Sequence, residues 1–173
     1  MTEFTEEKVL GVVREIARVA SVLFDGEMCG RLLTGRAMDY LAGRAAGQGK
    51  YSLGDNIDYD APVFERAKKL LLRLCLLAPE PLKVQCTLWE PVTGRADRMV
   101  QSINNGGPTR WPLKVEAHEA AEPMRRVMQT GEPVELTDGK TLTVLAPVRD
   151  SLGDVAAVVE LTAPLTGPAT AWS

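Results

Sequence analysis

Apolar residues recur near the start of the chain at alternating steps of four and three: Val9, Val13, Ile16, Ala20 and Leu23. This spacing lines one face of an α-helix. Thr5 ahead of Glu6 and Glu7 suits its beginning, because a hydroxyl caps orphan N–H groups and carboxylates favour the positive end of the helix dipole. Asp25-Gly26 ends the pattern, and a second helix is predicted from about Glu27 to Ala46. Gly30, Gly35 and Gly43 weaken it, each costing up to about 1 kcal/mol against Ala. Residues 47–60, rich in Gly, Asp and Tyr and without a period, read as a loop. Asp60 then caps a stronger helix with Pro62 in its first turn. Val63, Ala67, Leu70, Leu74 and Leu77 repeat the spacing, and Leu71, Leu72 and Leu76 widen the stripe, predicting burial on more than one side. Ala78-Pro79-Glu80-Pro81 closes this helix.

Beyond the prolines the period changes to two. Leu82, Val84, Cys86 and Leu88 alternate with Lys83, Gln85 and Thr87, the pattern of a strand with unlike faces. Pro91-Val92-Thr93-Gly94 is a turn, Arg95 to Ile103 a partner strand, and Asn104-Asn105-Gly106-Gly107-Pro108 a break. Lys114 to Gln129 reads as helical. Pro123 requires that it begin only after Glu122 or consist of two turns joined at a kink. Thr130-Gly131-Glu132-Pro133 stops that helix, Asp138-Gly139 signals a hairpin, and Ser151-Leu152-Gly153-Asp154 separates the last two apolar runs. Leu142, Val144, Ala146 and Val148 share one face, as do Val155, Ala157, Val159 and Leu161. Residues 164–173 are expected to form a loosely ordered tail.

The 173 residues, 45% hydrophobic and 25% charged, suit one compact domain with a helical extension. A net charge of −3, with basic residues scattered along the chain, argues against nucleic acid as a partner. No apolar run reaches the roughly 18 residues of a membrane span, and the N-terminus lacks the order of a signal peptide, so a soluble cytoplasmic protein is predicted. The cysteines, Cys29, Cys75 and Cys86, are odd in number and lie in apolar surroundings outside any C-x-x-C pair, which favours buried thiols in a reducing compartment. A disulfide between two of them stays open.

The run from Met128 to Thr162 carries T-G-x-P and V-x-A-P-V-x-D-x-x-G-x-V-x-x-V-V. It resembles the closing half of the PAS, Cache and GAF-like sensory domains. The resemblance covers about Leu82 to Thr162 and implies an α+β fold with a five-stranded antiparallel sheet, a connecting helix after the second strand, and a helical region ahead of the sheet. Residues 1–80 would form that helical region, packed on the sheet or on a partner, with 81–163 the sensor. The implied function is to bind a small molecule and signal through helix packing and protein contacts, as a homodimer or with a signalling partner, without catalysis. The alternative is a profilin-like scaffold of the roadblock or longin kind that binds proteins and no ligand.

Arg110 and Trp111 stand at the mouth of the connecting helix, where a guanidinium could hold a carboxylate beside an aromatic wall. Some amino-acid-sensing Cache domains place an Arg and a Trp near here with a distant Asp, and the resemblance puts Glu160 in the Asp's position. A surface Arg beside a Trp covering the sheet edge is the plainer reading. His118, the sole histidine, would on the same resemblance be a candidate axial haem ligand, although one imidazole supplies no metal site and a solvated helix residue is the commoner role. No signature surrounds a nucleophile, which disfavours a hydrolase. Asn56, Asp58 and Asp60 alternate as in a calcium loop, but Ala61 replaces the required Gly and Ala67 the closing acid. A loop ending in an N-cap explains them better.

Overall fold

The computed structural model of the protein describes residues 5–45, 50–54, 57–105 and 114–165. Helix α1, Glu6–Leu23, begins where the sequence predicts, with the Lys8 amide donating to Thr5 Oγ1 at 3.4 Å. Its buried face is Val9, Val13, Ile16, Ala17 and Ala20. Leu23 lies outward, and Phe24, one residue past the helix, takes the buried place.

The second predicted helix is two. α2 covers Gly26–Cys29 and α3 Gly35–Ala42. Gly30 and Gly43 close them, and the intervening Leu32 and Leu33 bury their side chains in the core, a gain that outweighs continuing a glycine-weakened helix. The predicted loop holds strand β1, Tyr51–Ser52, paired antiparallel with β4, Lys114–Val115.

Helix α4, Ala61–Cys75, starts at Asp60, whose Oδ1 accepts from the Val63 amide at 3.2 Å. Its buried row is Phe64, Ala67, Lys68, Leu71 and Leu74, rotated from the expected one: Val63 and Leu70 are half-buried, while Leu76 and Leu77 are exposed. A helix with leucines on several sides can turn any of them inward, and the row containing Phe64 wins the sheet.

The main sheet has six strands where the sequence suggested five: β2 Gln85–Val92, β3 Arg95–Asn104, β5 Ala117–Glu119, β6 Val134–Thr137, β7 Thr141–Arg149 and β8 Val155–Pro164. They lie in the order β5-β3-β2-β8-β7-β6, with every neighbouring pair antiparallel. β5 comes from the start of the stretch read as helical. Helix α5 spans only Glu122–Thr130, with Pro123 in its first turn, so the later-starting alternative is the one formed. β2 runs on through Pro91 and Val92, which had read as a turn.

Three layers result. α1 rests on β7 and β8, and α4 on β2 and β3, with the two helices touching. Between these helices and the sheet lies the main core, which takes Leu142, Val144, Ala146 and Val148 from β7 and Ala157, Val159 and Leu161 from β8. On the opposite face α5 packs against β6, β7 and β8, enclosing a smaller cluster of Met99, Ala120, Met124, Val127, Leu145 and Val158. Among the described residues no helix is long and apolar enough to cross a membrane.

The recurring turn residues of the last third have identifiable tasks. Gly131 ends α5 in the left-handed region at φ 66°, with its amide on the Val127 carbonyl at 2.9 Å. Arg149 donates to the carbonyls of Gly131 at 2.8 Å and Gly153 at 2.7 Å, joining the end of α5 to the β7–β8 turn. Asp150 Oδ1 accepts from the amides of Leu152 and Asp154, both at 2.9 Å.

Candidate functional site

α5 is short and covers only part of its sheet face. Beside it a cleft of about 290 Å³ opens between β5, the start of α5 and the sheet. Strand alternation supplies its floor. On β8, Val159 and Leu161 point to the main core, which turns Glu160 to the cleft, while on β7 the same parity turns Thr143 and Leu145 there. On β2 the alternation that gives Leu88 and Val92 to the core turns Trp89 to the cleft and Glu90 back to the core face, opposite Val100. Met99 and Met124 complete an apolar wall from β3 and α5.

One polar feature is held in place. Trp89 Nε1 donates to Glu160 Oε2 at 2.5 Å, and the indole meets the His118 ring edge-on with centroids 5.7 Å apart. Glu160 Oε1 has no hydrogen bond among the described residues, which leaves an acceptor at the cleft wall. Glu119 brings a second carboxylate to the rim, and no Lys or Arg is among the described lining residues. The arrangement can hold an apolar body against Met99, Met124 and Leu145 and accept a donated hydrogen bond at Glu160. Among the described residues it contains no nucleophile paired with a base.

Two of the expected site residues therefore meet: His118 and Glu160 line the same cleft. His118 sits on strand β5, not on a helix, and is exposed. Arg110 and Trp111 lie outside the described residues. Haem does not fit the donor set, because the described lining offers one exposed imidazole, edge-on to Trp89, together with the Glu119 and Glu160 carboxylates, which would oppose the cofactor's own. Among the described residues no group of three or more His, Cys, Asp or Glu side chains is placed to hold a metal ion. Trp89, Met99 and Met124 were missed by the sequence reading. Trp89 could have been found, since it shares its parity with Lys83, Gln85 and Thr87, and an indole on the polar face of a strand calls for a partner.

Other polar clusters have structural tasks. Asp58 accepts from the Tyr51 hydroxyl at 2.9 Å and the Gly54 amide at 2.8 Å, bonds that, the Gly54 amide foremost, hold its pKa below the usual carboxylate range. Asp60 binds Arg31 at 2.6 Å besides capping α4, while Asn56 lies outside the described residues. A wider groove between the end of α1 and α4 is lined by Glu65, Arg66, Lys69 and Arg73, and Lys69 faces Glu65 at 3.7 Å, the pattern of a solvated helix surface.

No family model matches this chain, and neither curated proteins nor solved structures give a match.

Proposed function

We propose that this chain is a cytoplasmic signal-sensing domain of the PAS, Cache and GAF-like kind, binding a small molecule in the α5 cleft and signalling without catalysis. The observation that carries the reading is the open cleft, apolar on its walls, with the Glu160 carboxylate held by Trp89 through one oxygen and the other without a hydrogen bond among the described residues. Two strands, a helix and three strands, in that order, are what the resemblance calls for; β4 and β5 are additions between the second strand and the helix. A ligand with an apolar body and a donating group, best an amine, matches a lining that carries Glu119 and Glu160 and, among the described residues, no Lys or Arg.

The mechanism is differential binding. A ligand that touches both α5 and the sheet favours one placement of α5, and β7 and β8 carry the change to α1 on the opposite face. Output passes to a second copy or to a signalling protein. Exposed Val22 and Leu23 at the end of α1, with Leu76 and Leu77 just after α4, would serve that contact. The same exposed residues favour the second reading, a profilin-like scaffold that binds proteins and no ligand.

A thermal-shift screen of small amines and small carboxylic acids separates the two. The sensor reading expects amines to raise the Tm of the protein, with Glu160→Gln weakening them roughly tenfold and a cleft-filling Leu145→Trp abolishing the response. A screen without a binder, on protein that associates through the ends of α1 and α4, would establish the scaffold instead.

A further inference from the structure

The three cysteines are chemically unlike. Cys29 is buried in an apolar site, and burial, with Glu90 and Asp25 adding to it, pushes its thiol far up. Cys75 and Cys86 are neighbours. Cys75 ends α4 and is half-buried, whereas Cys86 lies in β2 beneath it and is fully buried. Asn105, directly after β3, joins them: its Oδ1 accepts from the Cys86 amide at 3.1 Å, and its Nδ2 donates to Cys75 Sγ at 3.2 Å. The Asn105 amide also donates to the Cys86 carbonyl at 3.0 Å, which fixes that side chain against the strand.

The Asn105 side chain thus holds the Cys75 sulfur beside the Cys86 backbone, and the two thiols shift each other's acidity in opposite directions. The Cys86 thiol lowers the Cys75 thiol below its ordinary value, with help from Asn105 and from Lys68 on α4. Cys86 is raised by the same contact and by its burial. The more acidic sulfur is thus the one nearer solvent, and the protonated one waits beside it. Redox-responsive dithiols have this division: a low-pKa, reachable thiolate with a resolving thiol in contact.

We propose that Cys75 and Cys86 are a peroxide-oxidised pair that closes an intramolecular disulfide between the end of α4 and β2. The Cys75 thiol gives its proton to solvent and the thiolate attacks one oxygen of a hydroperoxide; the S–O bond forms, the O–O bond breaks, Cys75 is left as the sulfenic acid, and the departing oxygen takes a proton back from solvent to leave as water or alcohol. The Cys86 thiol then attacks the sulfenic sulfur. The S–S bond forms, the S–O bond breaks, and the Cys86 proton leaves with the hydroxyl as water. In total two thiols are oxidised by two electrons and one peroxide is reduced. The bond would lock onto the sheet the end of α4, which the exposed Leu76 and Leu77 directly follow, and it does not depend on the cleft being a ligand site.

The test uses the full chain, fully reduced and then treated with equimolar hydrogen peroxide. Remaining thiols are alkylated, and the protein is digested with trypsin without reduction. Cleavage after Lys83 separates the two residues, so a disulfide appears as a covalent link between the peptide holding Cys75 and the one holding Cys86. The expected result is that linked pair in most molecules, with Cys29 still available to alkylation after unfolding. In Cys86→Ser the same dose should leave Cys75 as a sulfenic acid trapped by dimedone, and Cys29→Ser should oxidise like the parent. Asn105→Ala should slow closure severalfold. A parent protein in which Cys75 stays reduced, or proceeds to sulfinic acid without the linked peptide, or links to Cys29 or to a second molecule, would overturn the proposal.

Discussion

Glu90 is the least expected residue of the core. It is fully buried, neither carboxyl oxygen has a hydrogen bond among the described residues, and the adjacent Ser102 hydroxyl is spent on the Leu88 carbonyl at 3.1 Å. Burial pushes its carboxyl up to about 8 from an ordinary 4.5. The folded state then holds a proton that the unfolded chain releases. Stability is accordingly full below the ordinary value, falls as pH rises toward 8, and has lost this whole contribution above it. The slope is at most about 1.4 kcal/mol per pH unit. Urea unfolding of the parent between these pH values should show that decline, and Glu90→Gln should flatten it; an unchanged slope in the variant would place the titrating group elsewhere. Such a residue was not legible in the sequence. Counting by two from Leu82 does reach position 90, but the turn read at Pro91-Val92 put it at the end of the strand, where a carboxylate meets solvent; β2 instead runs on through Val92 and buries it.

At the scale of elements, caps and turns were the most legible features and the choice of buried helix face the least. Thr5 and Asp60 cap where expected, because capping is decided by neighbours in sequence. The α4 face is decided by a sheet that the local sequence does not contain. Leu71→Ala should therefore cost about 2–5 kcal/mol, the range for emptying a core leucine, whereas Leu77→Ala, at an exposed position, should stay within about 0.5 kcal/mol. Equal losses in chemical denaturation would contradict the observed row. Gly131 offers a second comparison. A side chain there would be held at positive φ, and its Cβ would collide with the Arg149 guanidinium. Gly131→Ala should cost about 1–2 kcal/mol for the left-handed backbone alone, with further loss as Arg149 gives up its bond to the carbonyl; a neutral variant would mean that the turn can be rebuilt. Gly26 is different, since its contact is with the backbone of Asp150 at 2.7 Å, where the β7–β8 turn meets α2.

At the scale of the whole molecule, an α+β architecture with helices ahead of an antiparallel sheet was legible from the change of period after Pro81. The sixth strand was not. β5 is three residues long, too short to show alternation, and it exists because the edge of β3 offers it a partner. The cleft was half legible: Glu160 and His118 belong to it, but only the assembled sheet brings them beside Trp89, Met99 and Met124. In the proposed reading this cleft receives a small amine-bearing molecule. The most direct test follows the indole N–H resonance of Trp89, identified among the three tryptophans by its loss in Trp89→Phe, during titration with an amine that raises the Tm. The account predicts a saturable shift of that resonance, with a midpoint displaced about tenfold in Glu160→Gln. Saturable binding that leaves the Trp89 indole unmoved would contradict it.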